Sequence, residues 1–424
     1  MPIPYFSHMK TSLLPFLLLL SLTLSAQDCH FITAARIFDG TDFHEGKAVL
    51  VLGDKIGDFG DVKDIPVPTK CQTYDYPTGT LMPGMIEGHS HLLLHPYNET
   101  SWTDQVLKES YAERAIRGSK HAEATLAAGF TMVRDLGSEG AGYVDVGLKQ
   151  SVEKGITPGP RMLVAGKAIV TTGSYGPSGF GEHVTVPLGA EAADGESDLI
   201  RVVRDQIGHG ADVVKVYADY RWSPEKTAAP TFTQRELDLI VEVANSSGRQ
   251  VVAHAGSAEG MRRATLAGVA TIEHGDGGTK EVFDLMAKHG VALCPTLAAG
   301  DAITQYRGWN KGVDPEPERI TQKKKSFAMA LEAGVTIVAG GDVGVFPHGD
   351  NARELEMMVE YGMTPLTVLR TVTSGNADVF GWGDRIGRIK TGLLADLVVV
   401  EGNPGKTISD LRRVKLVLKG GEAQ

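Results

Sequence analysis

The sequence predicts an α/β fold: a (β/α)8 TIM barrel with a small β-sandwich domain formed by the N- and C-terminal segments. Three observations point to it. From residue 81 onward short apolar strands alternate with helical segments that end in glycine, both ends of the chain read as strands with no helical period, and 424 residues exceed most single compact domains other than α/β barrels.

The chain opens with a basic Lys10, a leucine-rich core and small residues at Ser25 and Ala26, the pattern of a signal peptide over residues 1–26. The apolar run over residues 13–24 is too short to span a bilayer, and no cysteine follows the small residues directly to take a lipid. The expectation is an exported protein, periplasmic or secreted, that begins near Gln27. Residues 27–80 alternate and turn like a small β-domain (HFITAARIFDG, KAVLVLGDKIGDFG, CQTYDYPTG), as do residues 381–424 with GRIKTGLLADLVVV and LRRVKLVLKGG. Neither end is large enough to hold a core alone, so the two are expected to pair. Cys29 and Cys71 fall on two strands of the N-terminal part. An exported protein can keep a disulfide, which leaves the pair open between bridged and free, while Cys294 in VALCPTL reads as a plain buried thiol.

The barrel is assigned to residues 81–380. TLAAG leads to FTMVRDLG, IGHG to ADVVKVYAD, VANSSG to RQVVAHAG, TLAG to VATIEHG, MAKHG to VALCPTL and LEAG to VTIVAGGD. Glycine at these positions fits the left-handed residue that stops a helix. With LMPGMIEGHSH and RMLVAGKAI, the strands beginning near Leu81, Phe130, Arg161, Ala211, Gln250, Val269, Val291 and Val335 complete eight units. An open doubly wound sheet is the structural alternative, but no Gly-rich phosphate loop accompanies it. A net charge of -10, with no Lys/Arg block longer than residues 323–325, argues against nucleic acid or an anionic membrane as partner. A small-molecule substrate remains, and homo-oligomerisation stays open.

In such a barrel the reactive groups collect at the C-terminal ends of the strands. Those ends carry His89 and His91 after the first strand, Lys215 in the fourth, His254 in the fifth, His274 in the sixth and Asp342 in the eighth. On a strand, His89 and His91 share a face, and two neutral imidazoles aimed at one point suit a divalent metal. Taken singly, a strand-end His or Asp is more often a capping group and a strand Lys a core-edge ion pair. Six polar residues at five strand ends, all at the same end, outweigh those readings.

The motifs PGMIEGHSH, VVAHAG, TIEHG, AGGD and GRIKTGLLADLVVV resemble those of the amidohydrolase superfamily of metal-dependent hydrolases, over nearly everything after the signal peptide. The resemblance implies that His89, His91 and Asp342 bind one metal, that His254 and His274 bind a second, and that Lys215, carboxylated by CO2, bridges them. Zinc is the metal expected. Independently, an ammonium among metal ligands makes sense only if deprotonated or converted to a carbamate. Ala255, Gly256 and Ser257 follow His254 where deaminases of the superfamily place a catalytic Glu, which favours the two-metal hydrolytic branch. A hydroxide held between two divalent ions would be the nucleophile, with Asp342 as proton carrier and His274 as a further catalytic candidate.

The sequence is most similar to the branch of imidazolonepropionase-like proteins, Xaa-Pro dipeptidases and ochratoxinase-type amidases. The substrate expected is therefore a dipeptide or N-acyl amino acid; a cyclic amide or lactone is the alternative, and a metal-binding homologue without catalysis the alternative of another class. Rim loops TTGSYGPSGFGEHV, YRWSPEKTAAP and VFPHGDN supply Tyr175, Tyr217, Arg221 and His348 as candidate substrate contacts. Gly173, Ser174 and Tyr175 stand where dipeptidases of the branch carry a Gly-Gly-His turn, a departure that bears on substrate choice.

Overall fold

The computed structural model describes Met1 and residues 29–181, 183–222 and 227–424; the signal-peptide expectation lies outside these residues. Parallel strands Met85–Ser90, Phe130–Asp135 and Arg161–Val164 lie side by side. The third is tied to the fourth, Val213–Tyr217, by Asp212 N donating to Val164 O at 2.8 Å and by the bridge of Val216 to Ile169. Gln250–Ala255, Thr271–His274 and Ala292–Cys294 follow in order, again parallel.

Residues 336–343 close the ring. Leu293 N donates to Thr336 O at 2.9 Å on one side, and His91 N donates to Val343 O at 2.7 Å on the other. The eighth member makes isolated parallel bridges rather than a full ladder. Glycine explains why: a Cβ on Gly340 would stand 2.5 Å from His89 N and 2.7 Å from Cys294 Sγ, so close packing there excludes side chains that favour extended backbone.

The stop signals read from the sequence hold. Gly129, Gly210, Gly248, Gly268, Gly290 and Gly334 all adopt positive φ, between 69° and 105°, at the ends of helical segments. Helices including Gly195–Gly208, Gln234–Asn245 and Ala258–Ala267 cover the strands and bury Leu199, Ile240 and Met261 against them in one apolar core.

The two ends of the chain do pair, in one eight-stranded sheet. The long strand Gln72–Pro83 runs parallel to Cys29–Phe38 along much of its length, and its C-terminal part lies antiparallel to Leu397–Glu401. Arg161 binds Asp396 at 2.7 and 3.0 Å, joining the third barrel strand to the C-terminal segment. Cys29 and Cys71 form a disulfide across 42 residues, and Cys294 is a buried free thiol. No helix among the described residues is long and apolar enough to cross a membrane.

Candidate active site

A cavity of about 470 Å³ opens at the C-terminal ends of the strands, lined by His89, His91, Tyr217, His254, His274 and Asp342 among others. Backbone strain concentrates here: Glu139, His274, Thr296 and Asp342, the four non-glycine residues with positive φ among the described residues, all line it. Such conformations cost on the order of 1–3 kcal/mol each and persist only where surrounding contacts enforce them.

The histidines are held from behind. His89 Nδ1 meets Glu273 Oε2 at 2.8 Å, His91 Nδ1 meets the Gly137 carbonyl at 3.0 Å, and His274 Nδ1 meets Thr296 Oγ1 at 2.8 Å. In its neutral form, a ring that donates its Nδ1–H keeps a lone pair on Nε2. His89 Nε2 and His91 Nε2 are 3.3 Å apart, and Asp342 Oδ1 stands 3.6 and 3.3 Å from them. Rings of His254 and His274 cross at 4.4 Å, and His254 stacks on Tyr217 at 4.6 Å. His89, His274 and Asp342 bring one ligand atom each within 4.8 Å of one another, close enough to share a single cation. His89, Glu273 and Cys294 also meet that spacing, but Glu273 is already committed to His89, Arg134 and Thr271.

Lys215 is 1% exposed, and its Nζ sits 5.7 Å over the Tyr217 ring. Among the described residues it makes no ion pair. Burial pulls its pKa down, against the attraction of Glu273 and Asp342. Burial would likewise raise Asp342, yet His89, His91 and Lys215 hold its carboxyl down at about 2. Imidazole nitrogens and a carboxylate thus face one point, a donor set suited to divalent cations, and Lys215 is buried close enough for its charge to act on His89, His254, His274 and Asp342.

Sequence reasoning missed the groups that brace this set. Glu273 accepts from Arg134 at 2.9 Å as well as from Thr271, and both charged side chains are fully buried. Burial pushes the Glu273 carboxyl up, but Arg134, His89 and Lys215 hold it well below the usual carboxylate range. Glu87 accepts from His89 N, Gly341 N and Asn351 Nδ2 at 2.8–3.1 Å, fastening the first strand to the eighth. Where a deaminase would carry its Glu, Gly256 N and Ser257 N donate to Asp219 at 2.6–3.0 Å, so those positions anchor a loop. Glu139 accepts from Tyr175 Oη at 2.7 Å and Trp102 Nε1 at 2.8 Å, fixing one wall of the cavity. The signal for Arg134 and Glu273 was present as opposite charges inside apolar strands.

Tyr175, Tyr217 and Arg221 line the cavity, as do Arg307 and Arg319, which sequence reading did not single out. His348 is the correction. It does not line the cavity, because its ring stacks on His121 at 4.3 Å and its Nε2 meets the Leu94 carbonyl at 3.0 Å, holding it against the back of the segment after the first strand.

The model of the Amidohydrolase family matches residues 80–423. The chain belongs to the amidohydrolase family. Among its relatives, the ochratoxinase of Aspergillus niger is 31% identical over 414 residues, covering 88% of this chain and 82% of that protein. The crystal structure of a Xaa-Pro dipeptidase with bound methionine in the active site superposes with a TM-score of 0.83 at 30% identity, covering 94% of this chain and 100% of that one. A prolidase complexed with N-methylphosphonate-L-proline gives 0.81 at 28% identity over 93% of this chain and 99% of that one. With this membership the protein takes its place among the amide-bond hydrolases, and the cavity at the strand ends is its candidate active site.

Proposed function

We propose that this amidohydrolase is a binuclear metal enzyme that hydrolyses the C–N amide bond of a dipeptide or N-acyl amino acid. The observation that carries this reading is Lys215, buried close enough for its charge to act on His89, His254, His274 and Asp342, without a carboxylate paired to it among the described residues. Held as an ammonium, it would repel any cation bound by its neighbours; as a neutral amine it can take up CO2 and become an anionic carbamate. In this reading His89, His91 and Asp342 would hold one ion, His254 and His274 the other, and carboxylated Lys215 would bridge them. Two divalent ions, zinc in our assignment, would supply an activated water at neutral pH and polarise the scissile carbonyl.

The chain's own residues supply the rest. Asp342, held ionised beside His89 and His91, accepts the proton of the attacking water and delivers it to the departing nitrogen. His274, fixed through Nδ1 by Thr296, lines the same cavity, which leaves its Nε2 for the second ion. Names and ligands of the relatives, a Xaa-Pro dipeptidase and a prolidase with a proline phosphonate, support a substrate of dipeptide type. The Cys29–Cys71 bridge supports an exported protein, because disulfides persist in oxidising compartments.

Elemental analysis with a panel of dipeptides, N-acyl amino acids and lactones tests the proposal. We expect about two divalent ions per chain and amide hydrolysis that chelation abolishes. Lys215→Ala should lose most of both metal and activity. A fully active, metal-loaded crystal structure with an unmodified Lys215 pointing away from the ions would overturn the assignment.

A further inference from the structure

The cavity that carries the histidines also carries three guanidinium groups, those of Arg221, Arg307 and Arg319. Arg221 lies on the loop after the fourth strand. Arg307 and Arg319 flank the connection between helices Leu297–Tyr306 and Glu318–Glu332, far away in sequence. Neighbouring cations on that crossover are matched: Lys323 binds Asp276 and the His274 carbonyl, Lys311 binds Glu360 at 2.9 Å, and Lys324 binds Glu316. Among the described residues none of the three arginines has a carboxylate partner in ion-pair range, although the protein as a whole carries a net charge of -10.

The arginines also feel one another. Burial pushes Arg319 below its ordinary value; Asp276 opposes that shift most strongly, and the charges of Arg221 and Arg307 add to it. Asp276, the carboxylate that acts most on Arg319, is also bound to Lys323, so its one charge is shared between cations. Convergent guanidinium groups at the mouth of a reaction cavity attract an anion, and their planar forks match a carboxylate geometrically. Apolar neighbours Ile303 and Ile320 lower the local polarity and strengthen such a contact.

We propose that Arg307 and Arg319, together with Arg221, form the subsite that binds the free carboxylate of the substrate and so select amides that end in one. This rests on the amide-hydrolase reading above and adds to it the group that sets specificity.

Matched pairs of substrates test it. N-benzoyl-phenylalanine is compared with N-benzoyl-phenethylamine, and leucyl-phenylalanine with leucyl-phenethylamide, each pair differing only in the carboxylate; aromatic groups are chosen because Tyr175, Tyr217 and Tyr220 line the cavity. In the metal-loaded protein kcat/KM should favour the carboxylate member by about 100-fold, and Arg307→Ala and Arg319→Ala should each shrink that ratio about 10-fold, mainly through KM. Calorimetric binding of the same compounds to the metal-loaded Asp342→Asn variant is measured in parallel, with chelated wild type in its place if that variant does not fold. Arginine-dependent binding without turnover would uphold the subsite and remove the amide-hydrolase reading for these substrates. Equal binding of both members of each pair, or binding of the carboxylate that neither arginine variant weakens, would overturn the subsite whatever the turnover.

Discussion

Replacing Glu273 with Gln removes one charge and leaves nearly the same shape, so its effects report on the brace behind the site. Glu273 Oε2 meets His89 Nδ1 at 2.8 Å, and Oε1 accepts from Arg134 Nη2 at 2.9 Å and from Thr271. Both members of the Arg134–Glu273 pair are fully buried, and breaking a buried pair by neutralising one partner costs about 3–5 kcal/mol. Arg134 keeps Gly88 O at 2.8 Å, Thr271 Oγ1 at 3.1 Å and the Phe380 ring at 4.3 Å, which puts the loss at the low end, about 3 kcal/mol. His89 meanwhile loses a carboxylate that orients its ring, a change that typically weakens metal binding about 10–100-fold. Thermal unfolding and competition with a metal-sensitive chelator read the two effects separately. The expected result is a Tm lower by about 5 °C or more together with weaker metal retention. A Tm within about 1 °C of wild type with unchanged retention would refute the argument that this buried pair organises the site.

Three further outcomes follow from particular contacts. Thiol titration of the denatured, unreduced protein should find one free thiol, that of Cys294, and Cys29→Ser/Cys71→Ser should lose about 4 kcal/mol of stability for a closure across 42 residues, read by denaturant unfolding. Gly260→Ala would put a Cβ 2.2 Å from Asp219 Oδ2 and dislodge the anchor of the loop after His254; a cost of at least about 2 kcal/mol with reduced kcat is expected, and a neutral result in both would remove Asp219 as that anchor. Burial raises Glu354 to about 8 despite its bonds to Leu297 N and Ala298 N, so the folded protein holds a proton the unfolded chain releases. With the folded pKa above the unfolded one, that stabilisation is complete below about pH 4.5 and is lost as pH rises toward 8; Tm measured across this window should fall less steeply in Glu354→Gln than in wild type.

The fold was legible where local rules and global packing agree. Each glycine that stops a helix precedes an apolar strand, and the strand's hydrophobicity follows from being buried on both faces by barrel and helices. The eighth strand was legible only as a location, because Gly340 and Gly341 make it an irregular bridge between Leu293 and His89. His89, His91, Lys215, His254, His274 and Asp342 stood out as a set, because six polar residues at the same end of five apolar strands exceed what capping and core-edge ion pairing call for. Long-range pairing was not legible: Glu273 and His89 are 184 residues apart, and Arg134 and Glu273 are 139 apart. Their types still carried a clue, since a charge inside a barrel strand must find its opposite, and Arg134 in VRD and Glu273 in IEH are of opposite sign. His348 shows the converse limit. A basic residue on a rim loop was read as facing the site, whereas the carbonyl of Leu94 and the ring of His121 offered it better company behind the rim.

Bracing and reaction share the same strands, and alternation explains how. Within the sixth strand the consecutive residues Glu273 and His274 serve different ends, the first bonded to His89 and Arg134 inside the barrel, the second turned at its mouth by a φ of 76°. Had the strand continued in extended geometry through His274, alternation would have sent that imidazole to the face away from Glu273. The left-handed turn re-aims it, and Thr296, itself at a φ of 49°, locks the ring through Nδ1. Asp342 follows the same device, with a φ of 61° immediately after two glycines. The strained residues at the strand ends are therefore the means by which a regular barrel brings side chains from different strands to one point, and the buried charges beneath them are what keep that strain from relaxing.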